Sequence, residues 1–257
     1  MNWRETLTAF NTIFIKEILR FSRIWVQTIL PPAITMTLYF VIFGNLIGKA
    51  IGEMDGFKYI DYIVPGLIMM SVITNSYSNV VSSFFSSKMH GHIQELLISP
   101  TPNIVILLGF VAGGVARGLG VGIVVTIVSL FFTKMDIQHP FITLAVVVLT
   151  SILFSIAGFI NAVYAKTFDA MNIIPVFILT PLTYLGGVFY SIHMLSPFWQ
   201  NVSLFNPVLY MVNGFRYGIL GVSDISPTSS FALIFVFIAF LFTFAMYLLN
   251  KGIGLRE

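Results

Sequence analysis

The chain contains no cysteine, which excludes a disulfide framework and any thiolate metal site. Charge is scarce as well. Only 9% of the 257 residues are charged, against about 25% in ordinary soluble domains. Hydrophobic residues make up 57%, and the mean hydropathy is +0.94. So few ions cannot cover the surface of a soluble globule, and so apolar a chain does not stay disordered. Alternation at period two, the mark of an outer-membrane barrel strand, is also missing. Long continuous apolar runs remain, and they read as an all-α integral membrane protein.

A bilayer core about 30 Å thick needs roughly 20 mostly apolar residues in a helix. Six windows meet that length: 24–47, 59–85, 104–132, 141–165, 171–192 and 231–249. A further apolar stretch, 204–220, is broken by Asn206, Pro207, Asn213, Gly214 and Arg216. It reads as a re-entrant segment before the last span, with a seventh span as the alternative. Residues 24–249 then form one transmembrane domain, 1–23 precede it, and 250–257 are a short tail.

The first 23 residues are not a cleavable signal, because Arg4, Glu5, Lys16, Glu17 and Arg20 interrupt any apolar core. At helical spacing Trp3, Leu7, Phe10, Phe14 and Ile18 share one face. This pattern predicts an amphipathic helix lying in the membrane interface. Lysine and arginine counts set the orientation. The side of the termini carries Arg4, Lys16, Arg20, Arg23, Lys88, Lys166, Lys251 and Arg256, and the other side Lys49, Lys58, Lys134 and Arg216. Eight against four puts both termini in the cytoplasm.

Catalytic and nucleotide motifs are missing. The sequence holds no HExxH, no GxSxG and no paired membrane aspartates. The run Gly44 to Ala50 has one residue too few between its glycines for a phosphate-binding loop, and Ala50 stands where a magnesium-ligating hydroxyl belongs. His90 and His92 have no third ligand nearby and read as loop histidines. Nothing points to nucleic acid. Inside the spans Arg117 is the one deep ion, without an acid partner in sequence, which argues against an ion-coupled pump.

Where the runs are patterned, they point to close packing and to a path. Gly109 and Gly113 form one small-residue pair, and Gly114, Gly118 and Gly122 another. The spacing leaves open whether they pack within the subunit or against a second copy. Pro31, Pro32, Pro65, Pro175 and Pro181 interrupt spans and favour kinks. Polar residues accompany them, among them Gln27, Thr35, Thr74, Asn75, Ser78 and Tyr184. Broken polar helices line cavities, although hydrogen bonding between helices accounts for the same residues. Gln94, Glu95, Leu96 and Leu97 form a short helix that ends before Pro100, on the side of the termini.

The residues resemble the ABC-2 type permease subunits of bacterial ATP-binding cassette exporters, and the short inner-membrane permeases among them. The similarity spans nearly the whole chain. Its most specific part is the block Tyr190 to Trp199 with Pro197, followed by Asn206-Pro207 and, nine residues on, Arg216. Gln94 to Leu97 with Pro100, and Pro65-Gly66, also match.

The resemblance implies six spans, an interfacial N-terminal helix and re-entrant helices before the last span. It implies a homodimer in the bacterial inner membrane, in contact with lipid and bound to two copies of a separate ATPase. ATP and magnesium belong to that partner, and this chain needs no cofactor of its own. Gln94, Glu95, Leu96 and Leu97 would then couple to the ATPase. Gln27, Thr35, Tyr39, Thr74, Asn75, Ser78, Tyr184 and Tyr190 would line an outward path for an amphipathic, lipid-linked or drug-like substrate. Pro197, Trp199, Asn206, Pro207 and Arg216 would hold the structure together. An ATP-independent secondary transporter or a membrane scaffold is the alternative.

Overall fold

The computed structural model describes residues 2–255, apart from the side chain of Asn45. Arg256, counted above for orientation, lies outside the described residues. Helix α1 runs Trp3–Arg23, started by a capping box between Asn2 and Glu5 and ended by Arg20 and Arg23 in its last turn. After a bend at Ile24 the chain continues as α2, Trp25–Ile51. The helix breaks at Ile29, where Pro31 and Pro32 restart it, and it widens to π geometry over Phe40–Ile47. A two-residue hairpin follows, Glu53–Met54 against Phe57–Lys58, turning on Asp55 and Gly56, both at positive φ.

Helix α3, Tyr59–Met89, is the axis of the molecule: 22 of its 31 residues are buried. The short α4, His92–Ile98, leads into α5, Asn103–Ser129, and α6, Pro140–Tyr164. Helix α7, Phe168–Tyr184, carries a π-helical turn at Pro175–Leu179. Two short helices follow, α8 Pro197–Leu204 and α9 Pro207–Leu220, before α10, Pro227–Lys251. Helix α3 packs against α5, α6 and α9, while α1 lies along α5 and α10 against α6 and α9.

Among the described residues four helices are long and apolar enough to cross a membrane: α2, α5, α6 and α10. Helix α3 has ample length, but Thr74, Asn75, Ser76, Ser78 and Asn79 dilute its hydropathy. That dilution is tolerable because neighbouring helices surround it. Helix α7 is apolar but has only 17 residues. It stops at Tyr184, short of the Ile192 limit of its sequence window, because the chain turns at Gly186-Gly187 with Gly187 at φ +69°. The 204–220 stretch is no single rod. Asn206 ends one helix and caps the next, accepting from the Val208 N–H, with Pro207 in the first turn.

The glycine pattern of α5 packs within the chain on two faces. A Cβ on Gly109 would lie 2.6 Å from Ile13 Cγ2, and one on Gly113 2.8 Å from Glu17 Cγ. The spacing of four on α5 thus matches a spacing of four on α1 and lets the two backbones meet. On the other face a Cβ at Gly114 would collide with Ser155, and one at Gly118 with Ser76. Small residues replace the hydrophobic drive that lipid cannot supply.

Candidate functional site

Residues at steps of four on α2 turn one face toward α3. Gln27, Pro31, Thr35 and Tyr39 oppose Ser71, Thr74, Asn75 and Ser78 across a groove of about 350 Å³. Arg117 of α5 closes its floor. Six of the eight path residues expected from the sequence therefore share one cavity. Tyr184 and Tyr190 do not line it. Tyr184 meets it at Tyr39, with which its side chain interacts directly, and its ring lies 5.9 Å from Phe189, which in turn lies 6.0 Å from Tyr39 and 4.9 Å from Phe43. An aromatic cluster thus caps the Tyr39 end. Tyr190 stands apart, its hydroxyl buried without a protein partner.

A ladder on α3 ties the groove to α1. Asn75, Asn79 and Ser83 recur every four residues, hence on one face. Asn75 Oδ1 accepts from Arg117 Nη2 at 3.1 Å, and Asn79 Oδ1 accepts from Arg20 Nη2 at 2.8 Å. Ser83 donates to Glu17 Oε1 at 2.5 Å. Glu17 is fully buried, and its other oxygen sits 3.5 Å from Arg20 Nε. Sequence reading missed Glu17, which looked like one more ion on an interfacial helix. The signal that could have found it is the matched spacing of Ile13 and Glu17 with Gly109 and Gly113.

Gln94 and Glu95 project from α4 into solvent, while Leu96 and Leu97 are half-buried against the core. Buried Ile93 anchors the helix from below. Between α4 and α1 opens a cavity of about 640 Å³, lined by Thr12, Lys16, Arg20, Ser83, His90, Glu95 and Leu96. A second, of about 570 Å³, runs from Arg4 and Thr8 to Leu96 and Thr101. The exposed side of α4 therefore borders a trough walled by α1.

The block before α10 is a network of hydrogen-bonded polar groups, in which Arg216 Nη1 alone of the arginine's nitrogens is buried without a hydrogen bond. Arg216 is fully buried, donates to Gly187 O at 2.6 Å and Tyr62 O at 3.4 Å, and sits 4.0 Å from the Tyr62 ring centre. Those carbonyls and the ring face stand in for an acid. Asn206 donates to Leu182 O at 2.6 Å, tying α9 to the end of α7. Pro197 starts α8, and Trp199 beside it is exposed, its ring edge-on to Phe198. Asp224 holds the Ser191 hydroxyl and the Ile192 N–H, and its own N–H donates to Asn213 Oδ1.

Comparison with known sequences gives this geometry a family. The ABC-2 type transporter model matches residues 8–220. The chain is 56% identical over 249 residues to the inner membrane transport permease YadH of Escherichia coli K12, covering 97% of each chain. The same permease in Shigella flexneri matches equally. More distantly, nodulation protein J of Neorhizobium galegae is 21% identical over 185 residues, 72% of this chain and 71% of that protein.

Proposed function

The chain belongs to the ABC-2 type transporter family, and on that footing we propose that two copies form the membrane path of an ATP-binding cassette exporter. It is a multi-pass inner-membrane transport permease, a subunit without an enzymatic role of its own. In the proposal a separate ATPase, in two copies, supplies the energy through ATP and magnesium. An amphipathic, lipid-linked or drug-like substrate moves outward. Both termini lie in the cytoplasm, α3 and α7 complete a set of six spans, and α8 and α9 form the re-entrant pair. At 14 residues and about 1.5 Å per residue, α9 is too short to cross a bilayer core.

The observation that carries this reading is the polar groove between α2 and α3. Its hydroxyl and amide side chains lie deep in helices whose other faces are apolar, where lipid would leave them unsatisfied. Coupling follows from the ladder on α3. Force on α4 and α1 at one end reaches Glu17, Arg20 and Asn79, and the groove begins one turn further along. ATP-driven closure of the partner then rocks the helices between inward- and outward-open arrangements.

The native chain lacks cysteine, so single thiols can be placed at will. Thr35→Cys and Ser78→Cys are expected to react with a membrane-impermeant thiol reagent, at rates that change when ATP is added to the complex. Phe177→Cys, on the exposed flank of α7, is expected to stay unreactive. Groove thiols that are as inert as the Phe177 position with and without ATP would remove the path from this groove.

A further inference from the structure

Three arginines reach into the helical bundle, each with one buried guanidinium nitrogen that makes no hydrogen bond (Arg20 Nε, Arg216 Nη1 and Arg117 Nε), but two of them have several other partners. Arg216 has two carbonyls and the face of Tyr62, and Arg20 has Asn79 and Glu17. Arg117 has a single hydrogen bond, to Asn75 Oδ1, and its Nε is buried without a partner. Among the described residues no carboxylate lies within ion-pair distance of it. Guanidinium stays charged at any working pH. A cation half-buried between helices and so poorly matched is costly unless an anion joins it.

The rest of the groove is suited to supply that anion's other contacts. Among the described residues no aspartate or glutamate lines it. Besides Arg117 and Asn75, the groove is lined by Thr35, Thr74 and Ser78, whose hydroxyls can donate to oxygen, while the Ser71 hydroxyl donates to Leu67 O. Glu17, the acid deepest in the bundle, binds eight residues along α3 from Asn75, about 12 Å at the helical rise, and is committed to Ser83 and Arg20. At the far end of the groove Tyr39, Phe43 and Phe189 offer ring faces to an apolar body.

We propose that Arg117 is the recognition point for an oxyanion, so that the groove selects amphiphiles with a phosphate, sulfate or carboxylate head. This assignment rests on the groove being the transport path and names the substrate class for it. The guanidinium fork fits such a head through paired hydrogen bonds. Asn75 holds the fork in place, and the hydroxyls of α3 complete the shell.

The test uses the permease with its ATPase in nanodiscs of phosphatidylcholine. Binding of radiolabelled octyl phosphate and octyl glucoside compares one anionic and one neutral head on the same chain. The expected result is that octyl phosphate binds about tenfold more tightly, as two charge-assisted hydrogen bonds can supply. That preference is expected to fall below about threefold in Arg117→Gln. Asn75→Asp keeps the arginine and supplies the missing carboxylate, and it too is expected to erase the preference. It serves as the decisive variant if Arg117→Gln fails to assemble. Sulfate that binds alone and competes would assign the site to free oxyanions, and sulfate that fails to compete would assign it to the amphiphile's head. Equal affinity for the two octyl compounds, or a preference that survives both substitutions, overturns the proposal. Protection of the Thr35→Cys thiol by either compound separates the two levels. Protection without charge preference sinks the anion site alone, and no protection by either sinks the path.

Discussion

Glu17→Ala tests how α1 is held to the bundle. The side chain is fully buried and accepts from Ser83 at 2.5 Å, with Arg20 Nε 3.5 Å from its other oxygen. Removing it breaks a charge-assisted bond, worth about 1.5–3 kcal/mol. It also opens a void against Gly113, whose missing Cβ was fitted to this side chain. Arg20 keeps its two bonds to Asn79 and is partly exposed, so its share of the loss stays small. The sum is about 2–3 kcal/mol. At about 2–4 °C per kcal/mol for a chain of this size, the thermal midpoint in detergent should fall by roughly 5–10 °C. Glu17→Gln keeps the volume and an acceptor and should lose about half as much. A midpoint for Glu17→Ala within about 1 °C of the native chain would refute the idea that α1 is clamped rather than merely lying alongside.

The same physics gives further expectations. Gly118→Val should prevent stable assembly, because even a Cβ collides with Ser76, whereas Gly120→Val, with open space before it, should fold; detergent-resistant monodisperse yield separates them. Arg216→Ala strands Gly187 O and the Tyr62 ring and should cost about 2–4 kcal/mol, read as loss of folded protein. Unchanged yield and transport would make that buried cation dispensable. Glu95→Lys reverses an exposed charge on α4. It should leave membrane insertion intact and remove stimulation of the ATPase by the permease; normal stimulation would take α4 out of the coupling contact.

Much of the molecule could be read from residue spacing. The interrupted apolar runs gave the helices, and the prolines marked the real irregularities, at Ile29 and again at Pro175–Leu179. Polar residues inside apolar runs found the groove, because Gln27, Thr35 and Tyr39 recur at multiples of four, as do Thr74 and Ser78, with Asn75 beside them. What spacing could not supply was pairing between distant segments. Whether the α5 glycines served the chain itself or a second copy depended on Ser76, Ser155 and Ile13, which lie on three other helices. Arg117 stood out in the sequence only as a deep ion without an acid partner, because nothing local shows that its floor position faces a groove without acids. Tyr190, put on the path by the family resemblance, lies beyond the turn at Gly187 and outside this groove. Helix α7 ends before the Ile192 limit of its apolar window for the same reason, since one glycine at positive φ leaves no trace in hydropathy.

In the proposed function this permease works as a pair driven by a separate ATPase. Native mass spectrometry of the tagged protein, extracted in mild detergent from its own membrane, tests it most directly. The expected species is a complex of two permease chains and two copies of a chain that carries a phosphate-binding loop and hydrolyses ATP. A homogeneous species containing only this chain, with transport activity that persists without ATP, would contradict it.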